Sequence, residues 1–209
     1  MVLIALFSAS LFFTIDPFEK ASPPEFYVGV EFAYSNNLSD VQGTFKGLTA
    51  LVDKVENYTN LFIIGLPQIS LDQATLDASC DYIYDAGLHF IILFTDTTTY
   101  NYNLRNWTSL ADQKYGDKFL GAYRLDEQGG KELDNNVKER FLNQSNYDPN
   151  VRNYSSAAET YVYYLSAHIE HYHSVLYPTL FTSDYGLYWF DYKAGYDAVF
   201  AEFVWNQSR

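Results

Sequence analysis

Cysteine is almost missing from this chain: Cys80 stands alone, which excludes an intrachain disulfide, a disulfide framework and a CxxC metal clip. Cations are scarce, with 13 Lys and Arg against 26 Asp and Glu and a net charge of −13. Binding to a phosphate backbone draws on clustered Lys and Arg, so nucleic acid is not expected as a partner. A glycine-rich phosphate turn is also missing. The first apolar strand runs into Glu31, Phe32, Ala33 and Tyr34 rather than G-x-G-x-x-G, which argues against an open, doubly wound nucleotide-binding sheet. No apolar run reaches the ~20 residues of a free-standing membrane span. Residues Met1 to Ile15 carry no charge and are mostly apolar, and Asp16, Pro17, Pro23 and Pro24 follow. That pattern reads as an export signal or a short membrane tether, with a buried N-terminal strand as the alternative.

What is present, 209 residues of which 48% are hydrophobic, supports one core and one domain. Residues 1–25 are assigned to the leader and its linker and 26–209 to the folded part. Six N-x-S/T sequons begin at Asn37, Asn57, Asn106, Asn143, Asn153 and Asn206. Each is an acceptor for a glycan only in an exported protein, and together with the leader they point to a secreted or cell-surface chain.

Along the chain, β-rich runs alternate with helical stripes. Phe26 to Ala33 is the first strand, and Val41, Phe45, Leu48, Val52 and Val55 then recur at helical spacing. Leu61 to Gly65, His89 to Phe94, Phe119 to Leu125, Leu180 to Ser183 and Ala198 to Val204 are the next five strands. Between them lie a stripe through Leu76, Cys80 and Ile83, a short helix from Leu110 to Tyr115, a long one from Ala157 to about His173 and a short one within Tyr185 to Tyr196. The pairs Ser39 and Gln42, Ser70 and Gln73, and Ser156 and Glu159 have capping-box spacing, and Gly87, Gly116 and Gly195 supply stops. The polar stretch from Gln128 to Asn153 is an insertion with a short helix near Val137 to Leu142. Apolar strands alternating with helices predict a parallel sheet covered by helices. The expected fold is therefore α/β, a barrel-like parallel sheet of about six βα units that makes an incomplete (β/α)8 barrel.

In such folds chemistry sits where the strands end. Acids cluster there: Glu31, Asp96, Asp126, Glu127, Asp184 and Glu202. For Asp96 and Asp184 the plainer reading is the start of a loop or a helix cap. In the run Arg124 to Gly130, period-two geometry puts Arg124 and Asp126 on one face and Glu127 on the other or at the lip. An interior Arg124 would pair with Glu31, either beside a catalytic site or as an ion pair that merely plugs the barrel. Glu202 lies in an apolar strand, where it acquires a partner, Arg124 among the candidates, or a raised pKa that suits a general acid. Aromatic residues make up 19%. Tyr34, Tyr100, Tyr102, Trp107, Tyr185, Tyr188, Trp189 and Trp205 fall on the expected working-face loops, as rings for stacking on sugars or for ordinary packing. His168 is placed on the inward stripe of its helix and His171 and His173 elsewhere. Without a well-spaced carboxylate they make no metal site, and no cofactor is implied.

The strand ending at Asp126 and Glu127 resembles the fourth strand of the large (β/α)8 glycoside hydrolase group, in which an Asn-Glu pair supplies the acid/base. Asp126 replaces that Asn here, and the group's nucleophile belongs to a seventh strand for which this chain offers no residue. The stretches from Phe119 to Gly130 and from Ser183 to Asp197 also resemble a set of archaeal surface proteins. Longer members of that set continue into further βα units, which implies that this chain is a partial reading. The resemblance implies Glu127 as acid/base. The acid placement adds Glu202 as an assisting carboxylate, with Glu31, Arg124, Asp126 and Asp184 in support and Tyr34, Tyr185, Trp189 and Trp205 on an extracellular polysaccharide. The alternatives are a non-catalytic glycan-binding or envelope protein on the same scaffold, or an inactive gene fragment. A retaining pair would stand about 5 to 5.5 Å apart and an inverting pair about 6.5 to 9.5 Å apart.

Overall fold

The computed structural model describes residues 26–34, 40–95, 100–126, 153–184 and 188–201, with the backbone alone described at Leu125, Asp126, Tyr154, Asp184 and Ala201. The elements alternate: β1 (Gly29–Phe32), α1 (Val41–Val55), β2 (Leu61–Ile64), a one-turn α2 (Pro67–Ser70), α3 (Gln73–Asp85), β3 (His89–Leu93), α4 (Leu104–Tyr115), β4 (Phe119–Asp126), α5 (Tyr154–His173), β5 (Leu180–Asp184), α6 (Tyr188–Ala194) and β6 (Ala198–Ala201). The leader, the expected helix near Val137 to Leu142 and the continuation of the sixth strand beyond Ala201 lie outside the described residues.

All five strand pairings are parallel, and the strand order equals the chain order, β1-β2-β3-β4-β5-β6. Crossovers that step the same way each time put the described helices on one side of the sheet, which curls around the other. The result is a half-barrel, the incomplete β/α barrel expected from the alternation.

Two cores follow from this. On the helix side, Phe62, Ile64, Phe90, Ile92, Phe94, Ala122 and Leu180 from the strands meet Leu48, Val52, Leu76, Ile83, Tyr161 and Ile169 from the helices. Rings interlock at its centre: Trp107 meets Phe94 at 6.0 Å and Phe119 at 6.1 Å, and its indole Nε1 donates to Asp77 at 2.7 Å. On the concave side a smaller cluster holds strand residues alone, Leu61, Ile63, Ile91 and Tyr123. Cys80 is fully buried in the helix-side core, and burial pushes its thiol pKa well up, as suits an inert packing group.

Helix starts differ from the sequence reading. Asp40, not Ser39, caps α1 by accepting from the Gly43 N–H, and Asp72, not Ser70, caps α3 by accepting from the Thr75 N–H. Asn103 caps α4, which begins at Leu104, six residues before the expected Leu110, and Asn153 rather than Ser156 caps α5 in a capping box closed by Ser156 itself. In each case an Asp or Asn oxygen accepts from the N–H of the third helical residue and satisfies a donor that the helix itself leaves open. The glycine stops hold, with Gly87 at φ 78°, Gly116 at φ 56° and Gly195 at φ 115°. The inward stripe of α5 passes through Ile169, so His168 is exposed, its ring nitrogen on the Tyr164 carbonyl of its own helix. No described helix is long and apolar enough to cross a membrane.

Candidate functional site

The C-terminal ends of the strands form one rim. Glu31 belongs to the concave face, because its Cα partner on β2 is Ile63 of the concave cluster. Its carboxylate lies over Gly65, where a Cβ would stand 2.0 Å from Oε1. Gly65 is thus the residue that lets a charged side chain lie across the end of β2, and any larger residue would displace it.

Arg124 does not share that face. It is 4% exposed and points into the helix layer, where Nη1 donates to the Phe94 carbonyl at 2.6 Å and Nη2 to the Tyr172 hydroxyl at 3.0 Å. The guanidinium carbon stands 4.5 Å from the Tyr172 ring centroid. Burial lowers the Arg124 pKa, and the neighbouring Tyr172 and Tyr196 oppose the shift. Arg124 and Glu31 therefore make no pair: alternation along β4 sends Arg124 with Ala122 toward the helices, and that along β1 sends Glu31 with Gly29 to the hollow. From behind the sheet Arg124 ties the end of β3 to α5, while its own carbonyl accepts from the Tyr196 hydroxyl at 3.0 Å.

A second departure lies at Asp126. The pairing of β4 with β5 shifts register between Tyr123 and Asp126, so that Asp126 stands beside Ser183 instead of continuing the Arg124 row. Ser183 is fully buried and shares a 2.8 Å hydrogen bond with the Tyr123 hydroxyl on the concave side. The irregularity brings the Asp126 backbone into register with Ser183, so that period-two counting does not carry unbroken from Tyr123 to Asp126. Asp184 ends β5 next to Ala201 of β6. Glu127, Glu202, Asp96, Tyr185 and Trp205 lie outside the described residues.

The aromatic nominees divide. Trp107 is buried in the core, and Tyr100 and Tyr102 are half-buried braces. The Tyr100 hydroxyl accepts from the Thr95 N–H at 2.8 Å, and the Tyr102 hydroxyl donates to the Ser70 carbonyl. Burial pushes the Tyr102 pKa well up. These three hold the rim together. Tyr34 is 76% exposed just past β1, and Trp189 is 67% exposed in the first turn of α6, just past β5. Trp189 has a companion that the sequence reading missed, Tyr192, also exposed, with ring centroids 6.2 Å apart and planes inclined by 36°. The i, i+3 spacing on a helix was the available signal. Tyr123 and Ser183 were missed too, because both lie within predicted strands rather than on the loops beyond their ends.

Among the described residues no group of three or more His, Cys, Asp or Glu is placed to hold a metal ion. His173 lies 3.6 Å from Asp197, and its other ring nitrogen is 3.0 Å from the Gly195 carbonyl. His171 is exposed elsewhere on α5. No protein-family model matches this sequence, and neither a curated protein nor a solved structure matches it.

Proposed function

We propose that this chain is an exported, glycoside-hydrolase-like protein that acts on or binds an extracellular polysaccharide at the C-terminal rim of its half-barrel. The observation that carries this reading is the exposed Trp189 and Tyr192 pair at the head of α6, on the same rim as Glu31 and the β4 and β5 ends at Asp126 and Asp184. Exposed rings with polar edges stack on the apolar faces of sugars and stay wettable when empty. Carboxylates in a partly enclosed hollow are the groups that protonate a leaving oxygen or orient a sugar hydroxyl. In this proposal Glu127 is the acid/base and Glu202 assists, with Asp126, Asp184 and Glu31 lining the hollow, Tyr34, Tyr185, Trp189 and Trp205 contacting the chain, and Arg124 stiffening the rim from behind.

The second reading, a glycan-binding or envelope protein without turnover, is favoured by the same ring pair, which needs no carboxylate to bind. A binding and reducing-end assay over a panel of neutral and acidic polysaccharides separates the two. Trp189→Ala should weaken binding about tenfold, the ~1.4 kcal/mol that one stacked ring supplies. Glu127→Gln should leave binding in place and abolish turnover. Binding without turnover in the unaltered chain selects the second reading, and a folded chain that binds no polysaccharide overturns both.

A further inference from the structure

Three sequons fall within the described residues, and the fold treats them differently. Asn57 lies in the turn joining α1 to β2, outside any helix or strand, and its exposed side chain makes no hydrogen bond among the described residues. Tyr58 beside it is exposed too. Thr59 completes the sequon as a half-buried residue whose hydroxyl donates to the Val28 carbonyl and sits 3.2 Å from that of Leu61. The turn itself is held by the Tyr58 and Thr59 N–H groups on the Val55 carbonyl, at 3.0 and 3.1 Å.

Asn106 is exposed as well, but it lies inside α4, and the next two residues of its sequon are core. Trp107 is locked among Phe94, Tyr102 and Phe119 with its indole on Asp77. Thr108 is fully buried, with its hydroxyl 3.2 Å from the Arg105 carbonyl and 3.3 Å from that of Val175. Presenting this sequon to an enzyme requires unwinding the start of α4 and pulling a tryptophan from the core. Asn153 occupies a middle position: its amide oxygen accepts from the Ser156 N–H at 3.0 Å and so ties the sequon into the first turn of α5. Opening a surface turn is among the least costly local excursions of a fold, and opening a core-anchored helix is among the most costly.

We infer that Asn57 is an asparagine-linked glycan acceptor of the folded chain and that the fold closes Asn106 to the same modification. The inference rests on the exported reading above. The donor is a lipid-linked sugar pyrophosphate. A bond forms between Asn57 Nδ2 and the anomeric carbon while the bond from that carbon to the pyrophosphate oxygen breaks. The lipid pyrophosphate leaves with the electron pair, and Nδ2 gives up one proton. The turn stands at the end of the sheet where β2 begins, opposite the rim, so a glycan there leaves the hollow open.

The test incubates the folded, unglycosylated full chain with an oligosaccharyltransferase and its lipid-linked donor, followed by peptide mass mapping. Synthetic peptides spanning each sequon calibrate the intrinsic rates. Asn57 occupancy should exceed that of Asn106 by about tenfold or more in the folded chain, a preference absent from the peptides. Asn57→Gln should remove the modification, and Trp107→Phe should leave Asn106 closed. Equal occupancy of the two sites in the folded chain, or an unmodified Asn57 when its peptide is modified, overturns the inference. A chain modified at Asn57 in this assay yet sugar-free when isolated from its own cells keeps the acceptor and overturns the exported reading instead.

Discussion

Arg124 on β4 and Glu31 on β1 carry opposite charges toward opposite faces of one sheet, and their surroundings follow different rules. The arginine is enclosed: a ring lies over it, a carbonyl and a hydroxyl accept from it, and helices close around it. The glutamate is half-exposed in a hollow walled by strands and lies across a glycine. A side chain on the helix layer is fixed by packing from two sides. Glu31, on the concave face at the rim, keeps part of its surface exposed, whereas Tyr123 and Ser183 on the same face are buried and share a hydrogen bond. The same division runs through the aromatics, with Trp107 and Tyr172 inside and Tyr34 and Trp189 at the rim.

The largest effect that would test this contrast is at Arg124. Arg124→Ala removes the buried guanidinium that donates to the Phe94 carbonyl and the Tyr172 hydroxyl and opens space beneath the ring, at a cost of about 3 to 5 kcal/mol. Glu31→Gln should cost under about 1 kcal/mol, because a half-exposed carboxylate loses little when it becomes an amide of the same shape. Urea unfolding curves of the two variants check this. Equal shifts in midpoint would show that the two faces do not differ in the way described.

The next test uses two glycines. Gly121 sits at φ 147°, and a Cβ there would stand 2.1 Å from the Thr179 carbonyl oxygen, a backbone atom that has no other place to go. Gly121→Ala should destabilise by about 3 kcal/mol through overpacking and a backbone angle that L side chains avoid. At Gly65 the clash is just as close on paper, 2.0 Å, but the atom it meets is the end of the flexible Glu31 side chain. Gly65→Ala should therefore cost about 1 kcal/mol or less and act mainly by turning the carboxylate away. A Gly65 variant as unstable as the Gly121 one would mean that Glu31 is held as tightly as Arg124.

The same contrast explains what could be read before the structure was known. Alternation of strands and helices, the stops at Gly87, Gly116 and Gly195, and the burial of Cys80 follow from local patterns that tertiary packing reinforces. The face of Arg124 was not legible, because alternation gives two faces without saying which one is the hollow. The position of Asp126 was hidden by a register shift that leaves no mark in composition. Trp107 stands open in the sequence between stacking and packing for a related reason, and the structure puts it in the core: a ring near a strand end looks the same in sequence whether it braces the rim from within or projects from it.

Asp72 gives the smallest effect and compares two acids on the rim side of the fold. Its Oδ1 accepts from the Thr75 N–H at 2.9 Å and the Thr75 hydroxyl at 2.8 Å, and its Oδ2 accepts from Asn101 at 3.3 Å. The backbone bond from Thr75 is the largest cause holding its pKa below the ordinary value, the Thr75 hydroxyl adds to it, and slight burial opposes them. A carboxyl whose folded pKa is depressed contributes stability that is fully present above its unfolded pKa of about 3.9 and is lost as pH falls through the folded value. Asp72→Ala should cost about 1 kcal/mol at neutral pH, the worth of an N-cap, and the gap to the unaltered chain should narrow as the pH drops below about 4. Paired urea titrations at pH 7 and pH 3 measure it. A gap that stays constant would mean that the cap works through shape alone. A gap that closes would mark Asp72 as an acid whose charge supports the start of its helix, while the Glu31 carboxylate lies over Gly65 on the concave face.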